Sequence, residues 1–551
     1  MNPNLMTTPR IVTAAVIGLL PLLPAPAAAA PPADHVWFGG NRWGDQGDGT
    51  YRNPILPADF SDIDCIRVGD SYYAITSTFQ YSPGMTVIVS KDLVNWEIIG
   101  NAVSDLRQIG PDLNYDRMNR PGAGIWAGAI RHHAGRFWIY FGTPNEGYFM
   151  TSAVKAEGPW EPLVQLWKAA GWDDCCPFWD DDGQAWFIGS NFSQDPATGK
   201  KYNIHLWKMT PDGKALVEGS DKILYQASGS EANKLFKIQD TYYHYFSEIR
   251  KGVRVPMMGR AKSITGPYEY RQIFHVNKAA DREPNQGGII DDSNGNWWFF
   301  THHGSGGWEG RAASLLPVTW VDGWPIPGSI GSDGIGNVVW EGKKPYPDSR
   351  RHLPRTSDDF SSPTLAPQWQ WHYQPKDASW SLTERPGFMR LHAFQPLKAD
   401  NLYKVGNVLT QRAWCVPDNR VTVKMEVGGI VDGQQAGLIN HSPTAQGGVG
   451  VIQQQGQRHF FFRRNDGTFT PGPEVTGPSV WLRMEWGTDA VCRFAISADG
   501  KSFTPHGDTV SFPRPYVQYR GGRVGLYTYN KHRQAGHVDF DWFDYPSDDG
   551  K

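Results

Sequence analysis

A polar turn followed by an aromatic-rich, alternating segment recurs five times in the first two thirds of the chain. The copies lie at residues 68–73, 134–138, 181–186, 238–243 and 293–298. Gly or Asp in the turn and alternating apolar positions after it are typical of two antiparallel strands joined by a hairpin. A second pattern, an aromatic residue followed by Glu at 95–97, 158–161 and 266–269, is consistent with outer strands of the same sheets.

The regular recurrence of these hairpins, without amphipathic helical stretches between them, predicts a five-bladed β-propeller. An irregular sandwich with coincidental turns is the alternative. A charged, proline-containing stretch at 343–355 predicts a linker, and short alternating strands with Gly and Pro turns follow it. We therefore predict an all-β protein with a propeller at 31–350 and a β-sandwich at 356–547.

The first thirty residues have the pattern of an export signal. Arg10 precedes an apolar run at 11–23, and small residues occupy 25–30. This run is too short to span a bilayer, which needs about 20 apolar residues. The pattern predicts a signal peptide at 1–30 and a protein that is secreted or periplasmic.

Charge and cysteine content narrow the classes of partner and cofactor. The 551 residues carry a net charge of -3 with acids and bases interspersed, which gives no electrostatic basis for a nucleic-acid or membrane partner. Five cysteines are too few for a disulfide scaffold, and zinc-ligand spacing is absent. Cys415 and Cys492 are the one plausible disulfide pair. The 24 tryptophans suit packing between sheets, and some of them suit stacking on sugar rings.

Three acidic residues have contexts that suggest chemistry, although each has an ordinary alternative. Asp62 follows the segment NPILPADFS at 53–61, immediately before the first predicted strand. Asp174 precedes CCPFWDDDG at 175–183, and Glu231 lies in GSEANKLFK at 229–237. From context alone, a solvated loop acid is the more frequent explanation for such a residue, and an acidic hairpin turn explains the run at 180–182 better than a calcium site does.

These segments resemble the signature of glycoside hydrolase family 43. The resemblance implies that Asp62 is the general base, that Asp174 tunes the pKa of the acid and orients it, and that Glu231 is the general acid. Asp173 is the alternative to Asp174, and Glu248 is the alternative to Glu231. The chain departs from the family pattern at Ile63 and Cys175, where proline is usual.

The resemblance extends to residues that would bind the sugar. It implies contacts from Phe79 and Trp126 in the first two blades and from Gln286 and Arg311 in the fifth. His303 would be the channel histidine that holds a water or a cation, with a structural Ca²⁺ in the channel as the metal to consider; no cofactor is required. Ala129 stands where many members have Asp, and Asn285 stands where they often have His. The C-terminal domain resembles the concanavalin-A-like module of one branch of the family.

What this resemblance implies is an inverting hydrolase that acts on oligosaccharides or polysaccharides. Inversion needs two carboxyl groups roughly 6.5–9.5 Å apart, one protonating the leaving oxygen and one activating a water. The sequence analysis favours an exo-acting α-L-arabinofuranosidase acting on hemicellulose or pectin-derived glycans, because the sandwich and the tryptophan-rich first-blade loops suit side-chain release. A β-D-xylosidase is the alternative. A propeller that binds glycan without catalysis is the alternative from another class, and the retained acid trio argues against it.

Overall fold

The computed structural model describes residues 43–546 apart from 195–198, 200, 277–285, 305–306, 400 and 514–519. The predicted signal peptide at 1–30 and Asn285 lie outside the described residues. Helix within these ranges is limited to short 3-10 turns at Leu106–Gln108, Pro111–Leu113, Asp377–Ser379 and Leu402–Lys404. In the described part of the chain, no helix has the length and apolar character needed to cross a membrane.

Five four-stranded antiparallel sheets follow one another along the chain, which confirms the predicted five-bladed propeller. Each blade is built from one contiguous segment. The strands, in chain order, are Asp64–Val68, Ser71–Thr76, Gly84–Ser90 and Trp96–Val103 in blade 1; Gly128–His133, Arg136–Thr143, Gly147–Ala153 and Val164–Lys168 in blade 2; Trp172–Trp179, Ala185–Asn191, Asn203–Met209 and Lys222–Gln226 in blade 3; Glu231–Ile238, Thr241–Arg250, Val253–Ala261 and Glu269–Gln272 in blade 4; Gly287–Asp291, Trp297–His303, Ala312–Val321 and Trp324–Pro327 in blade 5.

The five recurring turns join the first strand of each blade to the second. In blade 3 the turn is closed by the Asp180 amide, which donates to the carbonyl of Gln184. Gly183 in that turn has φ of 83°, a conformation that glycine adopts without steric cost. The turn residues recognised in the sequence therefore mark the hairpin between the first and second strand that recurs in every blade.

The first strand of every blade lines the central channel and contacts the first strands of both neighbouring blades. Buried polar contacts join these strands. Asp64 Oδ2 in blade 1 accepts from the Ile130 amide at 2.9 Å and from Arg131 Nη1 at 2.7 Å in blade 2. Arg131 Nη2 lies 2.8 Å from Cys176 Sγ in blade 3, and that sulfur also accepts from the Leu235 amide of blade 4. The channel is thus crossed by a chain of contacts through four blades.

A pair of short strands joins the two ends of the propeller, because Thr50–Arg52 pairs with Glu341–Lys343. Ser329–Ile330 and Gly336–Asn337 form a local hairpin after blade 5. The side-chain amide of Asn53 donates to the carbonyls of Leu315 and Val339 at 2.8 Å each. These contacts hold the segment that leads to Asp62 against blade 5.

The C-terminal part of the chain forms two eight-stranded antiparallel sheets, which confirms the predicted β-sandwich. The first sheet contains, in spatial order, Phe469–Glu474, Gln457–Arg464, Gln446–Gln454, Gln434–His441, Arg523–Asn530, Leu409–Arg412, Gln370–His372 and Tyr81–Ser82. The second contains Trp380–Ser381, Met389–His392, His537–Asp544, Asn419–Glu426, Ser479–Trp486, Val491–Ser497 and Thr504–Pro505, with Val510–Ser511 also pairing with Val491–Ser497.

The edge strand of the first sandwich sheet is contributed by the propeller. Tyr81–Ser82 comes from blade 1, and Trp371 pairs with Ser82 in its register. One hydrophobic cluster runs through both parts of the molecule, and in it the rings of Trp43 and Trp414 lie 4.6 Å apart. The propeller and the sandwich therefore share both a sheet and a core.

The proposed pairing of Cys415 with Cys492 is wrong. Both thiols are free and buried in the structure. The amide of Cys415 donates to the carbonyl of Pro57 in the propeller, whereas Cys492 Sγ accepts from Asn440 inside the sandwich. The two cysteines have separate surroundings, and burial raises the pKa of both thiols.

We expect Asp64→Ala to destabilise the protein strongly. The substitution leaves the guanidinium of Arg131 buried without its carboxylate, and breaking a buried ion pair in this way costs about 3–5 kcal/mol. Thermal unfolding of the full-length chain measures the change. Asp70→Ala, which removes an exposed partner of Lys91, is the control and should leave the midpoint unchanged. Equal midpoints for the two variants would contradict the role given to Asp64.

Candidate active site

One residue singled out from the sequence lies within three residues of the start of the first strand in each blade. These residues are Asp62, Trp126, Asp174, Glu231 and Gln286. Because the first strands stand side by side around the channel, their starts meet at one face of the ring. The propeller thus brings together residues that are more than 200 positions apart in the sequence.

Asp62 is held rigidly at this face. Its side chain is only 7% exposed, Ser77 Oγ donates to Oδ2 at 2.7 Å, and Arg311 Nη1 forms an ion pair with Oδ1. Its backbone has φ of 57°, a left-handed conformation that aspartate tolerates better than most residues. The Asp62 amide donates to His302 Nδ1 at 2.7 Å. The carboxylate is therefore fixed from both oxygens and from the backbone.

His302 is a functional contact that the sequence analysis missed. Burial, reinforced by the positive charge of Arg311, holds the pKa of His302 well below its usual range. The ring is therefore neutral, and Nδ1 is able to accept the hydrogen bond from Asp62.

His303, which the sequence analysis named as the channel histidine, packs beside Trp340 and Ser314, and its role in holding a water or a cation stays a prediction. Its ring packs against Trp340 at 5.1 Å, and Nε2 lies 3.4 Å from Ser314 Oγ. Neighbouring residues of a strand point to opposite faces, so only one of His302 and His303 can face Asp62. The one that does so is His302.

Asp174 occupies a bulge in the first strand of blade 3. The pairing with the second strand shifts between Asp173 and Cys176, and Asp174 has φ of 51°. The amide of Ala232 donates to Oδ2 at 2.5 Å, and Gln286 Nε2 donates to Oδ1 at 2.7 Å. Asp174 therefore joins blade 3 to blades 4 and 5 through its carboxylate.

Burial raises the pKa of Asp174. The positive charge of Lys234 opposes this effect, and repulsion from Asp62 adds to it. Lys234 is fully buried, and its Nζ donates to Gln286 Oε1 at 3.1 Å. The sequence analysis did not single out this lysine.

Asp173, the sequence alternative, lies within the same electrostatic group. Burial first, then repulsion from Asp174, Asp62 and Glu231, raises its pKa well above the usual range. Within the described residues, its Oδ1 has no hydrogen-bond partner. Asp174 accepts two hydrogen bonds and Asp173 Oδ1 accepts none, so the geometry favours Asp174 as the ionised member of the pair.

Glu231 begins the first strand of blade 4. Its side chain is 28% exposed, the largest value among the three acids, and Oε1 lies 3.1 Å from Arg254 Nη1. Arg254 also donates to the carbonyl of Gly229 at 2.6 Å. The next residue, Ala232, has φ of 71° in a second bulge, and its amide is the one that binds Asp174. The bulges of blades 3 and 4 therefore lock the two acids together.

Glu248, the alternative to Glu231, has its carboxylate engaged elsewhere. Tyr225 Oη donates to Oε2 at 2.7 Å, and Arg250 Nε bonds Oε1. Its side chain is buried against the outer strand of blade 3.

Gln286 and Arg311 were expected to contact the sugar. In the structure, the side chain of each donates a hydrogen bond to a carboxylate of the acid trio. Gln286 bonds Asp174, and Arg311 bonds Asp62. Both side chains are almost fully buried. Whether they also reach a sugar stays a prediction, but the contacts that the structure gives them position carboxylates.

Phe79 and Trp126, the aromatic residues expected to contact the sugar, lie on two paired segments of blades 1 and 2, which we call the aromatic wall. The half-buried ring of Trp126 stacks on Phe192 at 5.9 Å, and Trp126 Nε1 donates to the carbonyl of Gly122 at 2.8 Å. Phe79 exchanges two backbone hydrogen bonds with Ile125.

The sandwich supports this wall through a hydrogen bond to Gln80, the residue after Phe79. Gln80 bonds the amide of Gly122 through Oε1 and donates through Nε2 to Tyr403 Oη of the sandwich at 3.0 Å. Arg520 Nη1 donates to the same hydroxyl at 2.9 Å.

Comparison with known proteins identifies the family. Residues 51–325 match the model for "Glycosyl hydrolases family 43", and residues 357–546 match a "Beta xylosidase C-terminal Concanavalin A-like domain". A protein from Formosa agariphila named "Beta-xylosidase" is 35% identical over 92% of each chain. The chain belongs to glycoside hydrolase family 43.

Other members of glycoside hydrolase family 43 extend the comparison. A protein from Bacteroides ovatus named as an α-L-arabinofuranosidase acting at the non-reducing end is 29% identical and covers 90% of this chain and 94% of its own. A bifunctional protein of the family from Bacteroides eggerthii, whose structure is solved, superposes with a TM-score of 0.78 at 28% identity. That match covers 90% of this chain and 64% of the other. This family 43 protein is an exo-acting O-glycoside hydrolase, and its substrates are carbohydrates.

The described residues do not gather the ligands of a calcium site. Calcium takes 6–8 oxygen ligands, and no group of three or more acidic, His or Cys side chains suited to a metal is found in the described ranges. The buried channel carboxylate of Asp64 is already paired with Arg131. Asp180 bonds Lys237 and Tyr242, and Asp182 bonds the Gln184 amide, as expected for an acidic hairpin turn.

We expect Asp173→Asn to remove part of the loss of stability at high pH. An unfolded aspartate ionises near pH 3.9, whereas native Asp173 stays protonated to higher pH, so native stability falls as the pH rises above about 4. Asp173→Asn should unfold at a higher temperature than the wild type at pH 8 and at a similar temperature at pH 4. Calorimetry at both pH values measures this.

The control for this experiment is Asp116→Asn, which changes an exposed carboxylate. It should show the same small difference from wild type at both pH values. An Asp173→Asn difference that does not depend on pH would contradict the raised pKa.

Proposed function

We propose that this protein is an inverting exo-glycosidase in which Asp62 is the general base and Glu231 is the general acid. The observation that carries the proposal is the convergence of the three acids at the starts of the first strands, with Asp174 joined to both blade 4 and blade 5. Asp174 would tune the proton affinity of the acid by charge repulsion and hold its strand in place.

Asp62 is suited to the role of base by its contacts. The guanidinium of Arg311 pairs with Oδ1, and the hydroxyl of Ser77 fixes the rotation of the carboxylate. Each carboxylate oxygen can accept two hydrogen bonds, so one position on each remains for a water. The base would take a proton from this water as it attacks the anomeric carbon.

Glu231 is suited to the role of acid by its exposure. It is the most exposed member of the trio, so a leaving-group oxygen can approach it from the solvent side. In the reaction it would give its proton to the glycosidic oxygen while the water attacks from the opposite face. Arg254 would then stabilise the carboxylate that forms.

For the substrate, we propose a terminal β-D-xylosyl residue of a xylo-oligosaccharide. The support is the Formosa agariphila β-xylosidase at 35% identity and the name of the matched C-terminal domain. α-L-Arabinofuranosyl release, which the sequence analysis favoured, is the second candidate, supported by the Bacteroides ovatus relative.

We propose further that the enzyme acts outside the cytoplasm. The support is the Arg10 and apolar 11–23 pattern, which lies outside the described residues.

We expect Asp62→Asn and Glu231→Gln each to lower kcat by about 10²–10⁴-fold, since each removes one proton-transfer group. Initial rates with aryl pentosides measure this. Azide should restore turnover in Asp62→Ala by replacing the water. Glu248→Gln is the matched control for Glu231 and should retain kcat within a few-fold. Full activity in Asp62→Asn would exclude this residue as the base.

We expect the wild-type enzyme to hydrolyse aryl β-D-xyloside faster than aryl α-L-arabinofuranoside. The first sugar released from the β-xyloside should be α-xylose, because a single displacement by water inverts the anomeric centre. Proton NMR during the first turnovers measures the anomer before it mutarotates. A β-xylose first product would contradict inversion, and a faster arabinofuranoside reaction would reverse the order of the two candidate substrates.

A further inference from the structure

Asp59 is a buried acid that lies three residues before Asp62, and neither the sequence motifs nor the reaction assigns it a role. Its side chain is 5% exposed. Oδ1 accepts from Ser61 Oγ at 2.7 Å and lies 3.5 Å from the Arg311 amide. Oδ2 accepts from the amide of Gly521, a sandwich residue, at 3.1 Å. The carboxylate therefore bonds the base loop, blade 5 and the sandwich at once.

The sandwich binds the same loop at three further points. Arg412 Nε donates to the carbonyl of Asp59 at 2.6 Å, and its guanidinium lies 4.5 Å from the centre of the Phe60 ring. The amide of Cys415 donates to the carbonyl of Pro57 at 2.7 Å. The sandwich thus contacts the loop that ends in Asp62 at Pro57, Asp59 and Phe60.

Two glycines make room for the Asp59 side chain. A Cβ atom on Gly310 would lie 2.3 Å from Asp59 Oδ1, and a Cβ atom on Gly521 would lie 2.5 Å from Asp59 Cβ. Gly310 also has φ of 62°, a conformation that disfavours other residues. One of these glycines belongs to the propeller and the other to the sandwich, so both parts of the chain are shaped around this carboxylate.

The contacts of Asp59 continue directly to the base. Arg311, whose amide faces Asp59, accepts from the Phe60 amide through its carbonyl at 2.9 Å and pairs with Asp62 through its guanidinium. Ser61, bonded to Asp59, accepts from Thr76 Oγ1 at 2.6 Å and from the amide of Ser77, which itself bonds Asp62. Of the two groups that hold the Asp62 carboxylate, Arg311 contacts Asp59 directly and Ser77 is linked to it through Ser61.

We propose that Asp59 is a positioning residue for the general base and that the sandwich completes the catalytic site through Gly521 and Arg412. This inference rests on the proposed role of Asp62. In this proposal the sandwich helps to position the general base, which activates the water that attacks the sugar. Asp59 itself touches neither Asp62 nor the position of the sugar and acts through Arg311 and Ser61.

The test compares full-length Asp59→Asn with wild type on aryl β-D-xyloside. Asparagine keeps the shape, but one of its two terminal groups is an NH2 that cannot accept a hydrogen bond. Either the bond from Gly521 or the bonds from Ser61 and Arg311 are therefore lost, and the loop shifts relative to the sandwich or to blade 5. A displacement of this kind lowers kcat on the order of 10- to 100-fold, with KM changed by less than about threefold. The pH profile of kcat/KM should also change, because the guanidinium of Arg311 is displaced from the carboxylate of Asp62.

Ser82→Ala is the matched control for a general weakening of the interface. It removes the hydrogen bond from Ser82 Oγ to Gln374, which joins the same two parts of the molecule without touching Asp59. We expect a lower unfolding temperature with kcat within twofold of wild type and an unshifted pH profile. A fall in kcat that tracks unfolding temperature equally in both variants would overturn the proposal.

A second pair of variants keeps the test independent of how well Asp59→Asn folds. Arg412→Ala should lower kcat, and Arg412→Lys should restore most of it, since lysine can still donate to the Asp59 carbonyl. Wild-type kcat and pH profile in Asp59→Asn, with an active wild type, would overturn this inference alone. A wild type inactive on both aryl pentosides would instead contradict the proposed function.

Discussion

The ion pair between Asp64 and Arg131, buried between the first two blades, is the contact on which the ring of first strands depends. A carboxylate in an apolar channel is tolerated only when a positive group and hydrogen-bond donors neutralise it. Asp64 receives both from blade 2, and Arg131 carries the contact on to Cys176 in blade 3. Because the first strands are fixed against one another in this way, their starts present a constant arrangement to the substrate face.

The backbone at and next to the acids of that face has the left-handed conformation that residues other than glycine rarely adopt. Asp62, Asp174 and Ala232 all have positive φ, and the last two lie in bulges of neighbouring blades. Such conformations cost on the order of 1–3 kcal/mol each and persist only where the surroundings enforce them. Here the surroundings are the hydrogen bonds that the acids make with Ser77, Gln286 and the Ala232 amide. The same contacts that orient the carboxylates therefore also hold the backbone. A bulge turns a side chain that would otherwise alternate away from the channel, which is why strand alternation alone does not predict the direction of Asp174.

The parts of the fold that depend on neighbouring residues were predictable, and those that depend on distant ones were not. The turns of the blades are local, so glycine and aspartate in the right places predicted five hairpins correctly. The roles expected for Gln286 and Arg311 were incomplete, because their acid partners lie 112 and 249 residues away. His302 was not singled out, because a resemblance does not determine which of two adjacent residues faces Asp62. Asp59 was not predicted, since its partners in the sandwich are more than 350 residues distant.

The strand Tyr81–Ser82 affects how the protein folds during its synthesis. It lies within blade 1 and completes a sheet of the sandwich. A chain is synthesised from its N-terminus, and domains usually fold as they emerge. Blade 1 emerges early, yet the partner strand Gln370–His372 follows almost 300 residues later. Until then the edge of Tyr81–Ser82 is exposed, and an exposed strand edge invites pairing with other chains. The two domains therefore complete their folding together, late in synthesis, and a propeller cut away from its sandwich would keep an open strand edge two residues after Phe79.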